Sequence, residues 1–576
     1  MTILTRTRTA ADVIVAALQR HGITDLFGQS LPSAVFLAAE EAGLRQVVYR
    51  TENAGGAMAD GFARVANRIT VVGAQNGPAA TLLVPPMAEA LKASVPMLSL
   101  VLEVPAAKRD KNAFQELDHF GLFAGVSKWT RRLDDADRAD EYIDMAITAA
   151  TSGRPGPVAL LLPADVLETP TSRTVTPRHS VLGHFPLDRP RPDGAAVARA
   201  AKLLADAERP IVIAGGGVNR ADAAVQLSEL QRVAAIPVAT TPMGKGATDE
   251  TNDLSMGVVG NYMGTNSATK FLRTMVTDAD VVLLIGTRTN ENGTDGWSLI
   301  PRRAQLIHVD IDGQEIGRNY EGIRLVGDAG AALTDLTDAI QQEDLTKRRG
   351  VANDVRAAIA IAREEHRRES ARVRQAATTP IRPERVVAEL DQLIDENTIL
   401  VADASYSSNW IGNYVTSRRA GQKFLLPRGL AGLGWGFPMA LGAQVAEPDS
   451  KVVVLSGDGG FGHVWAELET AVRERLPVVS IVLNNSILGY QKHGENFLFG
   501  AHTSAVDFLA VDHAAIARAV GAEGVRISDP AELAPALAKA LASDVPTLVE
   551  VITDPTAYPP ITAWDGMEDT LLKDYR

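Results

Sequence analysis

The side chains best suited to chemistry lie in one stretch, residues 451–485. Asp458 sits in Gly457-Asp458-Gly459-Gly460, and Asn484-Asn485 follow the next apolar run. A carboxylate and an amide oxygen are hard donors for a divalent cation, and the backbone carbonyl of Ile487 offers a third oxygen where its side chain offers none. Magnesium takes such a set and completes its octahedron with water and phosphate oxygens. Gly459 and Gly460 let backbone amides approach an anion at a helix start, where the dipole favours negative charge. The chemistry expected is therefore a diphosphate chelated through magnesium. Gly-Asp-Gly alone also suits a plain strand–turn–helix with a capping Asp. The paired asparagines beyond one helix make the pattern specific.

These groups need elements to hold them. Residues 452–455 read as a buried strand, which must stop at the glycines. An amphipathic helix with Trp465, Leu468, Ala471 and Val472 on one side comes next. Pro477 closes it, and residues 478–483 read as a second buried strand. This strand–helix–strand unit presents Asp458, Asn484 and Asn485 at the carboxyl ends of two parallel strands, where open α/β sheets bind ligands.

Gly-Asp-Gly, a helix and Asn-Asn resemble the thiamine diphosphate-binding motif, and the likeness extends over nearly the whole chain. It implies that Asp458 and Asn485 bind magnesium through their side chains and Ile487 through its carbonyl. It also implies that Gly457, Gly459, Gly460, Leu488 and Gly489 contact the cofactor. Upstream, a strand at residues 46–49 leads into Arg50-Thr51-Glu52 and a helix of small residues ending Asp60-Gly61-Phe62-Ala63-Arg64. Small residues there allow another backbone to pack closely. Glu52 alone reads as a helix N-terminal carboxylate favoured by the dipole. The segment is similar to the acetolactate synthase group, in which a Glu at this place hydrogen-bonds the cofactor's pyrimidine ring and sets its tautomer. There the cofactor is the electron sink and the protein places and polarises it.

The same likeness assigns cofactor contacts to Asn76, to Ser405 and Ser407 after a strand at Ile399–Ala402, and to Leu433 in a glycine-rich run at residues 429–438. Leu433 is the large apolar residue expected under the cofactor. Gln115, in Phe114-Gln115-Glu116, matches a loop near the reacting carbon. Residues 486–499 match the helix and loop that cover the thiazolium ring and select substrate; Tyr490, Gln491, His493 and Glu495 are its polar candidates. Each of these also suits ordinary loop polarity.

The middle of the chain departs from the pattern. Pro210–Ala214 reads as a strand followed by Gly215-Gly216-Gly217, which is not GxGxxG. With strands at Val281–Ile285 and residues 306–312 it resembles the family's central domain, which in some members holds FAD or the ADP part of coenzyme A. In biosynthetic acetolactate synthases the run corresponding to residues 286–292 ends in an Arg that grips a 2-keto acid carboxylate, and bidentate recognition needs a guanidinium. Here Asn292 stands there. That run is closer to 2-hydroxyacyl-CoA lyases and oxalyl-CoA decarboxylases, and residues 486–499 lack the Trp common in acetolactate synthases.

The chain has 576 residues, room for about three or four cores. Hydrophobic content is 46%, charged content 22%, and net charge −13. The negative charge argues against nucleic acid or an anionic membrane as partner. Cysteine is absent, which excludes thiol and disulfide chemistry. No run approaches the roughly 18 apolar residues of a bilayer span, and the N-terminus lacks a signal-like apolar core; a cytoplasmic location is expected. The expected fold is α/β, three doubly wound parallel-sheet domains. These are a pyrimidine-binding domain (1–185), a central domain (190–345) and a diphosphate-binding domain with a covering tail (380–576), with a helical linker (346–379) between the last two. Residues 169–192 read as a Pro- and charge-rich linker. The tail carries Tyr558, Trp564 and the basic Lys573 and Arg576, placed to meet coenzyme A phosphates. The resemblance implies at least a dimer, or a tetramer, with Glu52 of one subunit meeting Asp458 and Asn485 of another. The leading expectation is a magnesium-dependent lyase cleaving 2-hydroxyacyl-CoA, a small-molecule acyl-CoA substrate, to formyl-CoA and a carbonyl compound. The alternative is an acetolactate synthase-like transferase acting on 2-keto acids.

Overall fold

A computed structural model describes residues 7–567; Lys573 and Arg576 lie outside the described residues. Eighteen described strands form three six-stranded sheets, every pairing parallel. The helices that matter for the site are, in chain order, α1 (Ala10–Arg20), α2 (Glu52–Ala66), α3 (Val84–Ala93), α4 (Thr346–Arg374), α5 (Tyr406–Tyr414), α6 (Gly436–Ala446), α7 (Asp458–Phe461), α8 (Glu467–Arg473) and α9 (Gly489–Phe499). The chain divides into two compact units. The first comprises the described residues up to Asp188 with Gly429–Asp449 and Ala466–Leu476. The second comprises Arg189–Arg428, Ser450–Trp465 and the described residues from Pro477 on.

The first unit is built on β1 (Asp25–Phe27), β2 (Arg45–Val47), β3 (Thr70–Ala74), β4 (Met97–Glu103), β5 (Trp129–Arg132) and β6 (Pro157–Pro163), in the order β2-β1-β3-β4-β6-β5. The central strands β3, β4 and β6 are buried almost throughout, as apolar runs covered on both faces must be. α1 starts at a capping box between Thr9 and Asp12 and turns Val13, Ile14, Ala17 and Leu18 into the core. The small residues of α2 have a visible use. A Cβ on Gly61 would lie 2.1 Å from the Met439 carbonyl oxygen, and one on Gly442 would lie 1.8 Å from that of Met58. α2 and α6 therefore meet backbone to backbone. The stretch expected as a linker has no regular element over most of its length but is anchored: Leu182 and Phe185 are buried, and the amide of Leu182 donates to His21 Nδ1 at 3.1 Å.

The second unit holds two sheets. One contains β7 (Pro210–Ala214), β8 (Val238–Thr240), β9 (Ser255–Val258), β10 (Val281–Ile285), β11 (Gln305–Asp310) and β12 (Ile323–Val326), ordered β12-β11-β10-β7-β8-β9. The other contains β13 (Ile399–Ala402), β14 (Phe424–Leu425), β15 (Val452–Gly457), β16 (Val479–Asn484), β17 (Glu523–Ile527) and β18 (Thr547–Ile552), ordered β14-β13-β15-β16-β18-β17. In the latter the connections leave β13 and β15 in opposite directions. Their carboxyl ends therefore flank a switch-point crevice. α4 buries a narrow stripe, Ala352, Ile359, Ala362 and His366, and leaves most of its charges in water.

Three histidines of this unit are buried in the neutral form. Burial lowers His308, His366 and His513 from the ordinary 6.5 to about 4. His513 Nδ1 accepts a bond from the Trp465 indole N–H at 3.0 Å, which protonation would destroy. A histidine whose folded value is depressed contributes stability that is complete above 6.5 and is lost as pH falls from 6.5 towards 4. The denaturation midpoint is expected to fall through that window, each histidine adding up to about 1.4 kcal/mol per pH unit. Replacing His513 by Asn should flatten part of the slope; a midpoint constant from pH 7 to pH 4.5 contradicts the account.

Candidate functional site

The diphosphate-motif residues converge at the carboxyl ends of β13, β15 and β16. β15 ends at Gly457, and Asp458 opens α7. The single amphipathic helix expected here is in fact two, because the chain turns at Gly462 to Ala466 before α8 begins; the amide of Gly462 bonds Asp458 O at 2.8 Å. Leu468 and Ala471 are buried as expected, Trp465 and Val472 half-buried.

Asp458 is 7% exposed. Burial pushes its carboxyl up to about 6, opposed by backbone N–H donors including those of Asn485, Ser486 and Gly459; among the described residues no cationic side chain is one of the main causes. A buried carboxylate held by amides and lacking a counter-charge is suited to a metal ion. Asn485 and Ile487 lie just past the end of β16. Ile487 forms an antiparallel bridge with Asp507, flanked by Leu488 N to Val506 O and Phe508 N to Ser486 O, both 2.8 Å. In this pairing the bridging residue's own N–H and C=O point away from its partner. The Ile487 amide bonds Asn485 Oδ1 at 3.3 Å, so its carbonyl is on the same side as that amide. The paired asparagines do different jobs. Asn484 is buried and donates to Glu550 at 2.6 Å and to Val511 O at 3.0 Å, so it is structural; Asn485 is half-buried at the site.

Space around the motif is graded. A Cβ on Gly457 would meet nothing within 4 Å, whereas one on Gly459 would press on Leu488 and Phe508 at 3.0 and 3.1 Å. A Cβ on Gly489 would lie 3.1 Å from the Tyr406 ring, a tight contact. Ser405, at the end of β13, has φ 62° and ψ −135°, a conformation costly for a residue with a side chain and one that concentrates at functional sites. Ser407 is buried in the first turn of α5. The donor chemistry fits a magnesium-bound diphosphate: a buried carboxylate at Asp458, an amide oxygen at Asn485 and a backbone carbonyl at Ile487, with open space at Gly457.

α9 and the tail build an aromatic cluster beside these groups. Trp564 packs against Tyr490, Tyr406 and Phe497 with ring centres 5.1, 6.3 and 6.4 Å away. His493 is clamped at both nitrogens, by the Tyr406 hydroxyl at 2.9 Å and the Pro555 carbonyl at 3.0 Å. The Pro555 carbonyl can only accept, so Nε2 carries an N–H. Glu495 is half-buried; it accepts from Gln491 and from the Thr503 amide, both at 2.9 Å, and these bonds hold it below the usual carboxylate range. Tyr490 is 45% exposed.

The first unit carries the other candidates. Glu52 is the first residue of α2, half-buried, after the cap Thr51, whose side chain accepts from the Ala54 amide. Tyr49 beneath it is raised well above the ordinary 10 by burial and then by the charges of Glu52 and Glu467. Gln115 has φ 60° and a buried Oε1 with no hydrogen-bond partner. Asn76 is spent on that loop, donating to Phe114 O and Gln115 O at 3.2 and 2.9 Å. Leu433 is half-buried in the run before α6. That run is held by the buried Glu89, which accepts from the amides of Gly429, Leu430 and Ala431. Sequence reasoning missed Glu89, Tyr406, Glu467 and Phe508. Only the carboxylates at otherwise apolar positions of α3 and α8 hinted at two of them.

Residues 8–122, 197–336 and 403–551 match, in turn, the N-terminal TPP-binding, central and C-terminal TPP-binding domains of thiamine pyrophosphate enzymes. A probable acetolactate synthase large subunit from Methanocaldococcus jannaschii is 32% identical over 98% of this chain and 95% of its own length. The chain belongs to the thiamine pyrophosphate enzyme family. Other members similar to it are an acetolactate synthase large subunit from Parasynechococcus marenigrum, 32% identical over 95% of this chain and 88% of its own, and a glyoxylate carboligase from Escherichia coli O157:H7, 28% identical over 95% and 93%. These names agree with the keto-acid alternative rather than with the 2-hydroxyacyl-CoA lyase expected first. No described helix is long and apolar enough to cross a membrane.

The family's central domain is the third feature to place. At the switch point of its sheet the β7 and β10 loops pack on each other: the Gly217 amide bonds Gly286 O at 2.9 Å, and a Cβ on Gly215 would lie 2.4 Å from that same oxygen. Gly215 and Gly217 thus serve a close approach of backbone to backbone. Asn292 has an exposed side chain, while its carbonyl accepts from the Asn261 amide at 2.8 Å.

Proposed function

We propose that this chain is a thiamine diphosphate- and magnesium-dependent carboligase that acts on 2-keto acids, in the manner its acetolactate synthase relatives are named for. The observation that carries the reading is 32% identity over nearly the full length to a relative of that name, joined to a buried Asp458 with Asn485 and the Ile487 carbonyl beside it. Asp458, Asn485 and Ile487 would hold the metal, Gly457, Gly459 and Ser405 the diphosphate, and Glu52 the pyrimidine ring. Thiamine diphosphate supplies a nucleophilic carbon and an electron sink for breaking a bond beside a carbonyl. The chain's share is to bind, orient and protonate. Glu52 holds or passes a proton at the pyrimidine. Tyr490 and Gln115 are candidates to face the substrate; His493, spent at both nitrogens, orients Tyr406.

Asn292 keeps a second reading open. Without a guanidinium at that place the acceptor carboxylate must be bound otherwise or be absent, as in 2-hydroxyacyl-CoA cleavage. Purified protein with thiamine diphosphate and magnesium should release carbon dioxide from a 2-keto acid such as pyruvate and yield a carbon–carbon-linked hydroxyketo acid. Formyl-CoA from 2-hydroxyacyl-CoA, with no decarboxylation of any 2-keto acid, would reverse the choice. We propose further that the active unit is at least a dimer, as sedimentation of the purified chain will show.

A further inference from the structure

Resting on the role proposed for Glu52, we infer that Glu467 is a positioning residue that fixes the direction in which Glu52 enters the site. The backbone from Val48 to Thr51, which delivers Glu52, is bonded at nearly every polar group by side chains. Glu467 accepts the Arg50 amide at 3.1 and 3.2 Å and the Thr51 amide at 3.2 Å. Gln29 donates to the carbonyls of Tyr49 and Arg50 at 3.0 and 2.9 Å. Arg473 donates to Val48 O at 2.6 Å, and Glu474 accepts the Val48 amide at 3.4 Å. Three of these groups, Glu467, Arg473 and Glu474, come from α8 and the residue after it. The short helix thus cradles the end of the strand that leads into α2.

Glu467 is an expensive choice for a helix cap. It is 1% exposed, and burial raises its carboxyl against the pull of the Thr470 hydroxyl and the two amides. Thr470 Oγ1 donates to Glu467 Oε2 at 2.7 Å and locks its rotamer. Thr51 already caps α2 from within. A second, buried cap on the two amides just before it adds little to helix formation. It does define the path of the backbone at Glu52. A group that shares a proton with a cofactor must be held to a fraction of an ångström, and displacement by about 1 Å costs about 100-fold in rate.

The test uses the full chain and three variants. In Glu467→Ala the amides of residues 48–51 should exchange with deuterium faster in the apoprotein. Affinity for thiamine diphosphate with magnesium should stay at the parent value. The C2-hydrogen exchange of the bound cofactor and kcat should both fall about 100-fold. Glu467→Gln keeps one acceptor oxygen and should fall between parent and Ala; it replaces the Ala variant if that one does not fold. Parent-like C2 exchange in whichever variant folds overturns the inference, and so does a parallel loss of cofactor affinity, which marks a merely structural cap. Glu52→Gln is the control for the underlying reading. If it exchanges C2 like the parent, the role of Glu52 fails first; if it is slow while the Glu467 variants are normal, only the positioning role fails.

Discussion

Replacing Asp458 by Ala is expected to weaken thiamine diphosphate binding in the presence of magnesium by about 100-fold or more, and to make the apoprotein no less stable. Loss of groups that only support a metal ligand costs about 10- to 100-fold in metal affinity, and loss of a ligand should cost at least the upper end. The unusual part is the stability. The carboxyl lies at about 6 against an ordinary 3.8 because burial disfavours its charge. A raised folded value means stability that is complete below 3.8 and is lost as pH rises to about 6. At neutral pH the empty site carries a penalty on the order of 3 kcal/mol. Asp458→Asn should therefore melt higher than the parent apoprotein above pH 6 and match it below pH 4. Titration calorimetry and paired melts check both halves. A variant that binds the cofactor normally, or melts lower at pH 7 and not at pH 4, contradicts the role assigned to this side chain.

Much of this arrangement was legible because it depends on short-range pattern. β15 and β16 are continuous apolar runs, and only a strand buried on both faces uses such runs. The glycines that end β15 mark the turn, and the small residues of α2 announced a backbone neighbour, which proved to be α6 at Gly61 and Gly442. What the pattern could not supply was partner identity. Asn484 and Asn485 look interchangeable in sequence. Asn484, the last residue of β16, turns to Glu550, whereas Asn485 beyond the strand accepts the Ile487 amide. The expected helix is split into α7 and α8 at residues 462–466, a break that periodicity did not mark.

The residues that position others were the least visible. Glu467 in α8 and Glu474 just after it drew no reading from the sequence, yet they bond a segment 417 and 426 residues earlier in the chain. Local periodicity reports which face is apolar and is blind to a carboxylate whose partners are distant backbone amides. His493 shows the reverse. Its type and place suggested acid–base work, and the fold gives both its nitrogens to Tyr406 and Pro555. A histidine held that way orients its neighbours more readily than it exchanges protons.

The second large effect is expected at Glu52. Glu52→Gln should keep thiamine diphosphate affinity within a few-fold and reduce kcat by about 100- to 10,000-fold, the usual range for removal of a positioned acid–base group. The amide has the same shape and still accepts a hydrogen bond, so the contact to a ring nitrogen survives in form. It cannot share a proton, and that difference isolates the chemistry from the binding. The position is chosen for this task in several ways. Glu52 opens α2, where the dipole favours the anion. It stands over Tyr49, whose hydroxyl is raised in part by its charge, and it follows a backbone gripped by Glu467 and Gln29. Glu52→Asp should also be slow, because it withdraws the carboxyl by one methylene while keeping its proton chemistry; a rigid mount cannot follow the shortened arm. Comparable losses in Gln and Asp place the requirement on both proton and distance. Turnover within about threefold of the parent in Glu52→Gln removes Glu52 from the reaction, and with it the reason for so rigid a mount.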